Sequence, residues 1–129
     1  MKSPWKQILI GSMMLSSAVF AATDLTIHLN GSQPISRSTR QYQCDAQGAK
    51  MGLPAGSFSV EYINGGGNSL AVLPIHGSSL IFANVSSGSG ARYAASQYIW
   101  WEEAGRTVSL SSDSIARKMR SECRRADSQ

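Results

Sequence analysis

Short segments in which apolar and polar residues alternate limit most strongly what this chain can fold into. Phe58, Val60 and Tyr62 alternate with polar residues, and this period of two is typical of a β-strand with one buried face. Further strand-like segments follow along the chain: SLAVLPI, SLIFANV, QYIWWEE and TVSLS. Short strands at this spacing, separated by turns of Gly, Ser and Pro, predict an all-β fold, either a small antiparallel sandwich or a barrel.

Two segments upstream show the same alternation. Leu25, Ile27 and Leu29 alternate with polar residues, which predicts a first strand, and Tyr42 and Cys44 share one face of a second. Further on, the sequence NGGGN turns the chain between two strands. Its glycines accept the positive φ that a tight hairpin needs, so we predict a β-hairpin at this point.

The C-terminal segment has a different pattern. Ile115, Met119 and Cys123 recur every four residues, a spacing that favours a short helix with its basic residues facing water. A final extended segment tethered by a disulfide is the alternative. The basic residues of this segment are Arg117, Lys118, Arg120, Arg124 and Arg125. In an exported protein we interpret them as a solvated end, and we expect no nucleic-acid partner.

The first residues predict a secretory signal peptide over residues 1–21. Lys2 and Lys6 precede a largely apolar stretch, and small residues permit cleavage after Ala21. The apolar stretch is too short and too interrupted by Ser to span ~30 Å of hydrocarbon. No Cys lies near the cleavage site, so the bacterial lipid-anchor signal is missing. We therefore predict a periplasmic protein with no membrane anchor.

Cleavage leaves 108 residues (129 − 21), enough for one domain, which we place at residues 22–129. Its net charge is +2, because 10 basic residues face 8 acidic ones once the two leader lysines are removed from 12. The positive charge is therefore modest.

The oligomeric state is not fixed by the sequence, and a homodimer through an exposed strand edge is left open.

The chain contains two cysteines, Cys44 and Cys123, which in an exported protein usually form one disulfide.

His28 and His76 have no close-spaced partner, so no metal site is expected. Glu102 and Glu103 are adjacent on a predicted strand, point to opposite faces and do not form an acid–base pair. No cofactor motif occurs, and catalytic function has little support.

The segment from Tyr62 to Leu110 resembles the c-type lysozyme inhibitor family of bacteria, the MliC/PliC group. The matching pieces are YINGGGNSLAVLPI, LIFANVSSGSGARY and YIWW, and upstream YQCD resembles the family's early cysteine motif. The resemblance covers roughly half of the mature chain. It implies a small antiparallel β-barrel of about eight strands and, because the lipid-anchor cysteine is missing, the periplasmic branch of the family.

The resemblance also implies c-type lysozyme as the partner. The family motif Ser-Gly-x-x-Tyr is complete here from Ser89 to Tyr93. In the family, this Ser and a Lys from a second motif enter the lysozyme cleft and meet its catalytic carboxylates. A Ser hydroxyl donates a hydrogen bond there, a cation adds a charge-assisted one, and glycines beside Ser89 let the backbone approach closely.

The second family motif, Tyr-x-x-Gly-x-x-x-Trp-x-x-Lys-Gly, is altered in this chain. Ser96 replaces its Gly, and Glu103 replaces its Lys, with one extra residue before the next Gly. A carboxylate facing two carboxylates is repelled and poorly solvated, so the role of the Lys is not assigned to Glu103. We expect Glu103 to point away or to pair with a basic rim on lysozyme, and Arg92 or Arg106 to supply the cation. Arg106 is favoured by position, because the extra turn residue shifts the cation past Gly105.

Two other functions are weighed against lysozyme binding: a β-barrel module that binds a glycan or small ligand through Trp101 and Tyr98, and a hydrolase that uses Ser89. Trp101 lies on the opposite strand face from Trp100, which makes it a candidate surface aromatic for an interface. The residues predicted to bind lysozyme are Ser89, Gly90, Arg92, Tyr93, Trp101, Glu103 and Arg106.

Overall fold

A computed structural model describes residues 4, 10–12, 14, 22–31, 33–104, 107–114 and 117–126. Its elements are β1 (Ser36–Cys44), α1 (Ala46–Lys50), β2 (Phe58–Gly65), β3 (Asn68–Ile75), β4 (Ser78–Val85), β5 (Ala91–Ala95), β6 (Tyr98–Glu102), β7 (Val108–Ser114) and β8 (Arg117–Arg125). Each strand pairs with the next along the chain, and β8 pairs with β1, which closes an antiparallel barrel. The prediction of an all-β barrel is confirmed.

The two-residue period of the sequence becomes the inner face of this barrel. Val60, Leu73, Phe82, Trp100 and Leu110 come from five different strands, and each is fully buried. Successive side chains of a strand point to opposite faces, so one residue in two enters the core while its neighbours face outward. The alternation seen in the sequence therefore positions both the core and the outer surface.

The predicted hairpin at NGGGN is the β2–β3 turn. Gly66 and Gly67 have φ values of +61° and +78°, conformations that L-residues with a Cβ rarely adopt. Two consecutive residues with positive φ give a turn whose twist matches that of the paired strands. This hairpin is confirmed.

A disulfide between Cys44 and Cys123 joins β1 to β8 at a pair of register partners, as predicted. The short helix α1 lies directly over this seam. Asp45 caps it by accepting a 3.0 Å hydrogen bond from the Gln47 amide, and the same Oδ1 accepts a 2.7 Å bond from the Ser121 hydroxyl. The bond from Ser121 is the main cause that lowers the pKa of Asp45.

The predicted C-terminal helix is wrong, because this segment is strand β8. Met119 and Cys123 point inward, and so does Ser121 between them. A four-residue spacing is also a multiple of two, and the polar Ser121 hid the alternation of the strand. Ser121 tolerates burial because its hydroxyl bonds Asp45. Ile115, the third residue of the predicted pattern, lies outside the described residues.

The strand predicted from Leu25, Ile27 and Leu29 is also wrong. Residues 22–31 contain no strand, and these three side chains are exposed. Alternation alone does not make a strand unless a neighbouring strand accepts its backbone hydrogen bonds. The predicted signal peptide, residues 1–21, lies mostly outside the described residues. Among the residues that are described, no helix is long and apolar enough to cross a membrane.

Candidate functional site

The segment Ser86–Gly90, here called the Ser89 loop, connects β4 to β5, and all of its residues are exposed. Its backbone is held by side chains. Trp101 Nε1 donates a 3.0 Å hydrogen bond to the Ser89 carbonyl oxygen. The Ser87 hydroxyl lies 3.0 Å from that same oxygen and 3.1 Å from the Gly90 carbonyl oxygen. The loop therefore has fixed attachments on both sides of Ser89.

Gly90 forms the base of the Ser89 loop, where the chain enters β5. Its φ is +65°, and a Cβ at this position would lie 1.9 Å from the Glu102 carbonyl oxygen and 2.9 Å from the Ala104 amide nitrogen. Real Cβ atoms do not approach backbone atoms so closely. Both the conformation and the contact with β6 thus require glycine at this position.

Arg92 and Trp101 are register partners on β5 and β6, and their side chains face outward. The guanidinium carbon of Arg92 lies 5.8 Å from the centre of the Trp101 ring, within the range of a cation–π interaction. Trp101 therefore contacts Arg92 with its ring and Ser89 with its indole nitrogen. The structure brings together these three of the residues predicted from the sequence.

Tyr93 does not belong to the outer group. It is 6% exposed, its ring centre lies 5.8 Å from that of Tyr62, and its hydroxyl oxygen is 3.4 Å from the Ser69 hydroxyl oxygen. Tyr98 is also buried and faces inward, whereas Trp101 faces outward. The structure therefore does not bring Tyr98 and Trp101 together as one stacking surface, which removes the basis of the predicted glycan platform.

Glu103 is directed toward β8 on the outside of the barrel. Its carboxylate Oε1 lies 3.6 Å from Nη2 of Arg120, whose Nε donates a 2.8 Å bond to Glu122. The bond to Glu122 is the main cause that raises the pKa of Arg120. The expectation that Glu103 points away from the lysozyme cleft stays a prediction. Arg106 lies outside the described residues.

A polar network inside the barrel, which was not predicted from the sequence, centres on Glu102. Glu102 Oε1 accepts hydrogen bonds from the hydroxyls of Tyr42 (2.5 Å) and Tyr62, and Trp100 Nε1 donates a 2.9 Å bond to the Tyr62 hydroxyl. Burial, followed by the hydrogen bond to Glu102, raises the pKa of both tyrosines. The sequence did contain a signal for this network. Glu102 lies two and four positions after the inward-facing Trp100 and Tyr98, so its side chain is on the same face of β6.

Two surface depressions, with volumes of about 300 and 240 Å³, lie away from the Ser89 loop. One is at the disulfide seam, and the other lies on the outer face of β1–β4. Within the described part of the chain, no three His, Cys, Asp or Glu side chains cluster closely enough to hold a metal ion. Neither of these two depressions is lined by residues of the exposed Ser89 loop.

A family model described as "Membrane-bound lysozyme-inhibitor of c-type lysozyme" matches residues 42–116. This chain belongs to that family. The matched region begins in β1. It includes the Ser89 loop, Trp101 with its partner Arg92, and the residues of the Glu102 network. The resemblance inferred from the sequence motifs is confirmed.

Two relatives named membrane-bound lysozyme inhibitor of C-type lysozyme match parts of the chain. The protein from Pseudomonas aeruginosa is 62% identical over 45 residues, 34% of this chain and 35% of the relative. The protein from Cupriavidus necator is 41% identical over 61 residues, 47% of this chain and 42% of the relative. The aligned segments thus span well under two thirds of the length of either relative.

A solved structure provides a longer alignment. It is described as Pseudomonas aeruginosa MliC in complex with hen egg white lysozyme, and it superposes with a TM-score of 0.61 and 35% identity. The alignment covers 82% of this chain and 99% of the MliC chain. The barrel of this lysozyme inhibitor family is therefore present here almost in full.

Proposed function

We propose that this protein binds c-type lysozyme and inhibits it by inserting the Ser89 loop into the active-site cleft, which protects bacterial peptidoglycan. Membership of the lysozyme inhibitor family supports the partner, and the related MliC chain is described in complex with hen egg white lysozyme. The relatives are named as inhibitors, and the proposed role needs no catalysis by this chain.

The observation that carries the proposal is the fixed backbone of an exposed loop. Ser89 is exposed, yet its carbonyl oxygen is bonded to Trp101 and lies within reach of Ser87, and the following Gly90 lies against β6. A loop that is ordered before binding loses less conformational entropy when it enters a cleft. The same geometry leaves the Ser89 side chain on the outside of the barrel.

The chemistry of the cleft explains which groups are needed. A c-type lysozyme uses two carboxyl groups, so an inserted loop must present hydrogen-bond donors and no carboxylate. The Ser89 hydroxyl supplies one donor. The Glu103 carboxylate is directed toward Arg120, which favours a position outside the cleft.

We assign the cation to Arg92 in preference to Arg106. Arg92 lies over Trp101, and Trp101 in turn bonds the Ser89 backbone, so the guanidinium belongs to the surface that carries the loop. An exposed cation–π contact is worth only about 0.5–1 kcal/mol, so Arg92 can leave the ring for a lysozyme carboxylate at small cost. A guanidinium–carboxylate hydrogen bond is stronger than the contact it replaces.

The periplasm is the proposed location. The disulfide between Cys44 and Cys123 suits an oxidising compartment, and the predicted leader would direct the chain there. The relatives are named membrane-bound, whereas this chain shows no cysteine near its predicted cleavage site. Fractionation of a strain that expresses the protein would distinguish a released protein from an anchored one.

The deciding experiment is a cell-wall lysis assay with the disulfide-bonded protein and a c-type lysozyme. We expect inhibition by the natural protein, its loss in Ser89→Trp, and no effect on a g-type lysozyme. Arg92→Ala should weaken inhibition more than Arg106→Ala. No inhibition at micromolar protein would overturn the proposal. Binding of peptidoglycan fragments in the absence of lysozyme would favour a glycan-binding module instead.

A further inference from the structure

We infer that Glu102 is a positioning residue for the Ser89 loop. This inference rests on the proposed function, and it assigns a role to an acidic side chain that does not face lysozyme. Glu102 is the last residue of β6, and its side chain and its backbone contact different parts of the molecule. Its carboxylate enters the barrel, while its backbone carbonyl lies against the base of the loop.

The carboxylate end is fixed by three buried aromatic side chains. Tyr42 and Tyr62 donate to Glu102 Oε1, and Trp100 donates to the Tyr62 hydroxyl. These aromatic residues are 1%, 5% and 0% exposed, respectively. A tyrosine hydroxyl is protonated at neutral pH, and burial raises the pKa of both tyrosines further, so both hydroxyls act as donors. The network thus joins the end of β6 to β1 and β2.

The backbone end limits where the loop can lie. The Cα of Gly90 lies against the carbonyl of Glu102 so closely that no side chain fits between them. The neighbouring Trp101 donates to the Ser89 carbonyl from the same strand. Any displacement of β6 at Glu102 therefore moves both attachments of the Ser89 loop.

Loss of the carboxylate has a defined consequence. Two buried tyrosine hydroxyls would lose their acceptor, and a buried polar group without a partner is unfavourable. The tyrosines would then move or admit water, and the end of β6 would no longer be held from inside the barrel. The loop would sample more positions, so binding to lysozyme would weaken although no contact residue had changed.

Glu102→Gln tests this role, because the amide keeps the shape of the side chain but its neutral carbonyl oxygen accepts more weakly from the two tyrosine hydroxyls than a carboxylate oxygen does. We expect inhibition of lysozyme to weaken by about three- to tenfold, because two charge-assisted hydrogen bonds become neutral ones. We also expect faster amide hydrogen exchange from Ser89 to Arg92. Tyr42→Phe removes only one donor and should show smaller changes in the same direction. This second variant still tests the role of Glu102 if Glu102→Gln does not fold.

Val60→Ala is the matched control, since Val60 is fully buried in β2 and has no part in the network. It should lower stability while leaving inhibition and loop exchange close to those of the natural protein. The inference is overturned if Glu102→Gln and Tyr42→Phe change neither readout, or if Val60→Ala changes both as much. If the natural protein fails to inhibit lysozyme, the proposed function fails, and the exchange measurement still decides the role of Glu102.

Discussion

A side-chain carbon at Gly90 would lie 1.9 Å from the backbone carbonyl oxygen of Glu102. Gly90→Ala must therefore separate the loop base from β6, and it must also hold a φ of +65° that Ala disfavours. We expect unfolding free energy to fall by about 2 kcal/mol or more, from strain and overpacking together. Inhibition of lysozyme should fall with it. Urea unfolding and the lysis assay measure the two effects.

Gly88→Ala is the control for this substitution, because an added Cβ there meets no atom within 4 Å and no left-handed φ is required. Its stability should remain within about 0.5 kcal/mol of the natural value. Equal effects of the two substitutions would contradict the structural role assigned to Gly90.

Trp101→Phe should weaken inhibition while leaving the fold intact. Phe lacks the indole N–H that bonds the Ser89 carbonyl, but it keeps an aromatic face for Arg92. A neutral hydrogen bond contributes about 0.5–1.5 kcal/mol, which corresponds to a loss of about two- to tenfold in affinity. Trp101→Leu removes both contacts and should weaken binding further. Titration calorimetry with lysozyme would compare them, and equal affinities would show that Trp101 does not hold the loop.

Ser96→Gly should stabilise the protein. Ser96 has a φ of +52° in the β5–β6 turn, where the family motif places glycine. A residue with a Cβ is strained in this conformation, so glycine should raise the free energy of unfolding by about 1 kcal/mol. The adjacent Gln97 has no positive φ, and Gln97→Gly should lower stability instead. Thermal unfolding of both variants provides the check.

Stability should fall as the pH rises above about 10, the ordinary pKa of tyrosine. The pKa values of Tyr42 and Tyr62 are raised in the folded protein, so above that pH the unfolded chain releases protons that the folded one retains. Their contribution is thus complete below pH ~10 and is lost at higher pH. Tyr62→Phe should show a smaller loss between neutral and alkaline pH, although it is less stable at both. Urea midpoints across this range would show the difference, and parallel profiles would contradict it.

Reduction of the disulfide should destabilise the barrel strongly. Cys44 and Cys123 are 79 positions apart, and the chain-entropy estimate for a loop of this length is roughly 4.5 kcal/mol. Cys44→Ser/Cys123→Ser should unfold at much lower urea than the oxidised protein, and reductant should have no further effect on it. Equal midpoints with and without reductant for the natural protein would contradict this expectation.

Sequence patterns predicted the hairpins of the barrel but failed at both ends of the chain. The middle strands alternate cleanly because their inward residues are apolar, as in Phe58–Gly65. In Arg117–Arg125 the inward Ser121 is polar and satisfied by Asp45, a contact between residues 76 positions apart. No local pattern contains such a partner. The strand predicted from Leu25, Ile27 and Leu29 failed for the opposite reason. These residues alternate with polar ones, but no neighbouring strand in the described part of the chain pairs with them.

The candidate site divides in a similar way. Motif similarity named Ser89 and Gly90 as candidates, and strand parity correctly separated Trp101 from Trp100. The bond from Trp101 to Ser89 and the orientation of Glu103 toward Arg120 depend on contacts between strands. These relations exist only in the folded barrel, so the sequence could name the residues but not their attachments.

The pairing of β1 with β8 also affects when the protein can become a barrel. Strands β1–β7 alone leave the barrel open, because its closing strand, Arg117–Arg125, is the last of the eight strands to be synthesised. Contacts so distant along the chain form slowly. The thiols of Cys44 and Cys123 meet only at this last step. The barrel therefore closes late in folding, which would suit the proposed export of the chain to an oxidising compartment before it folds.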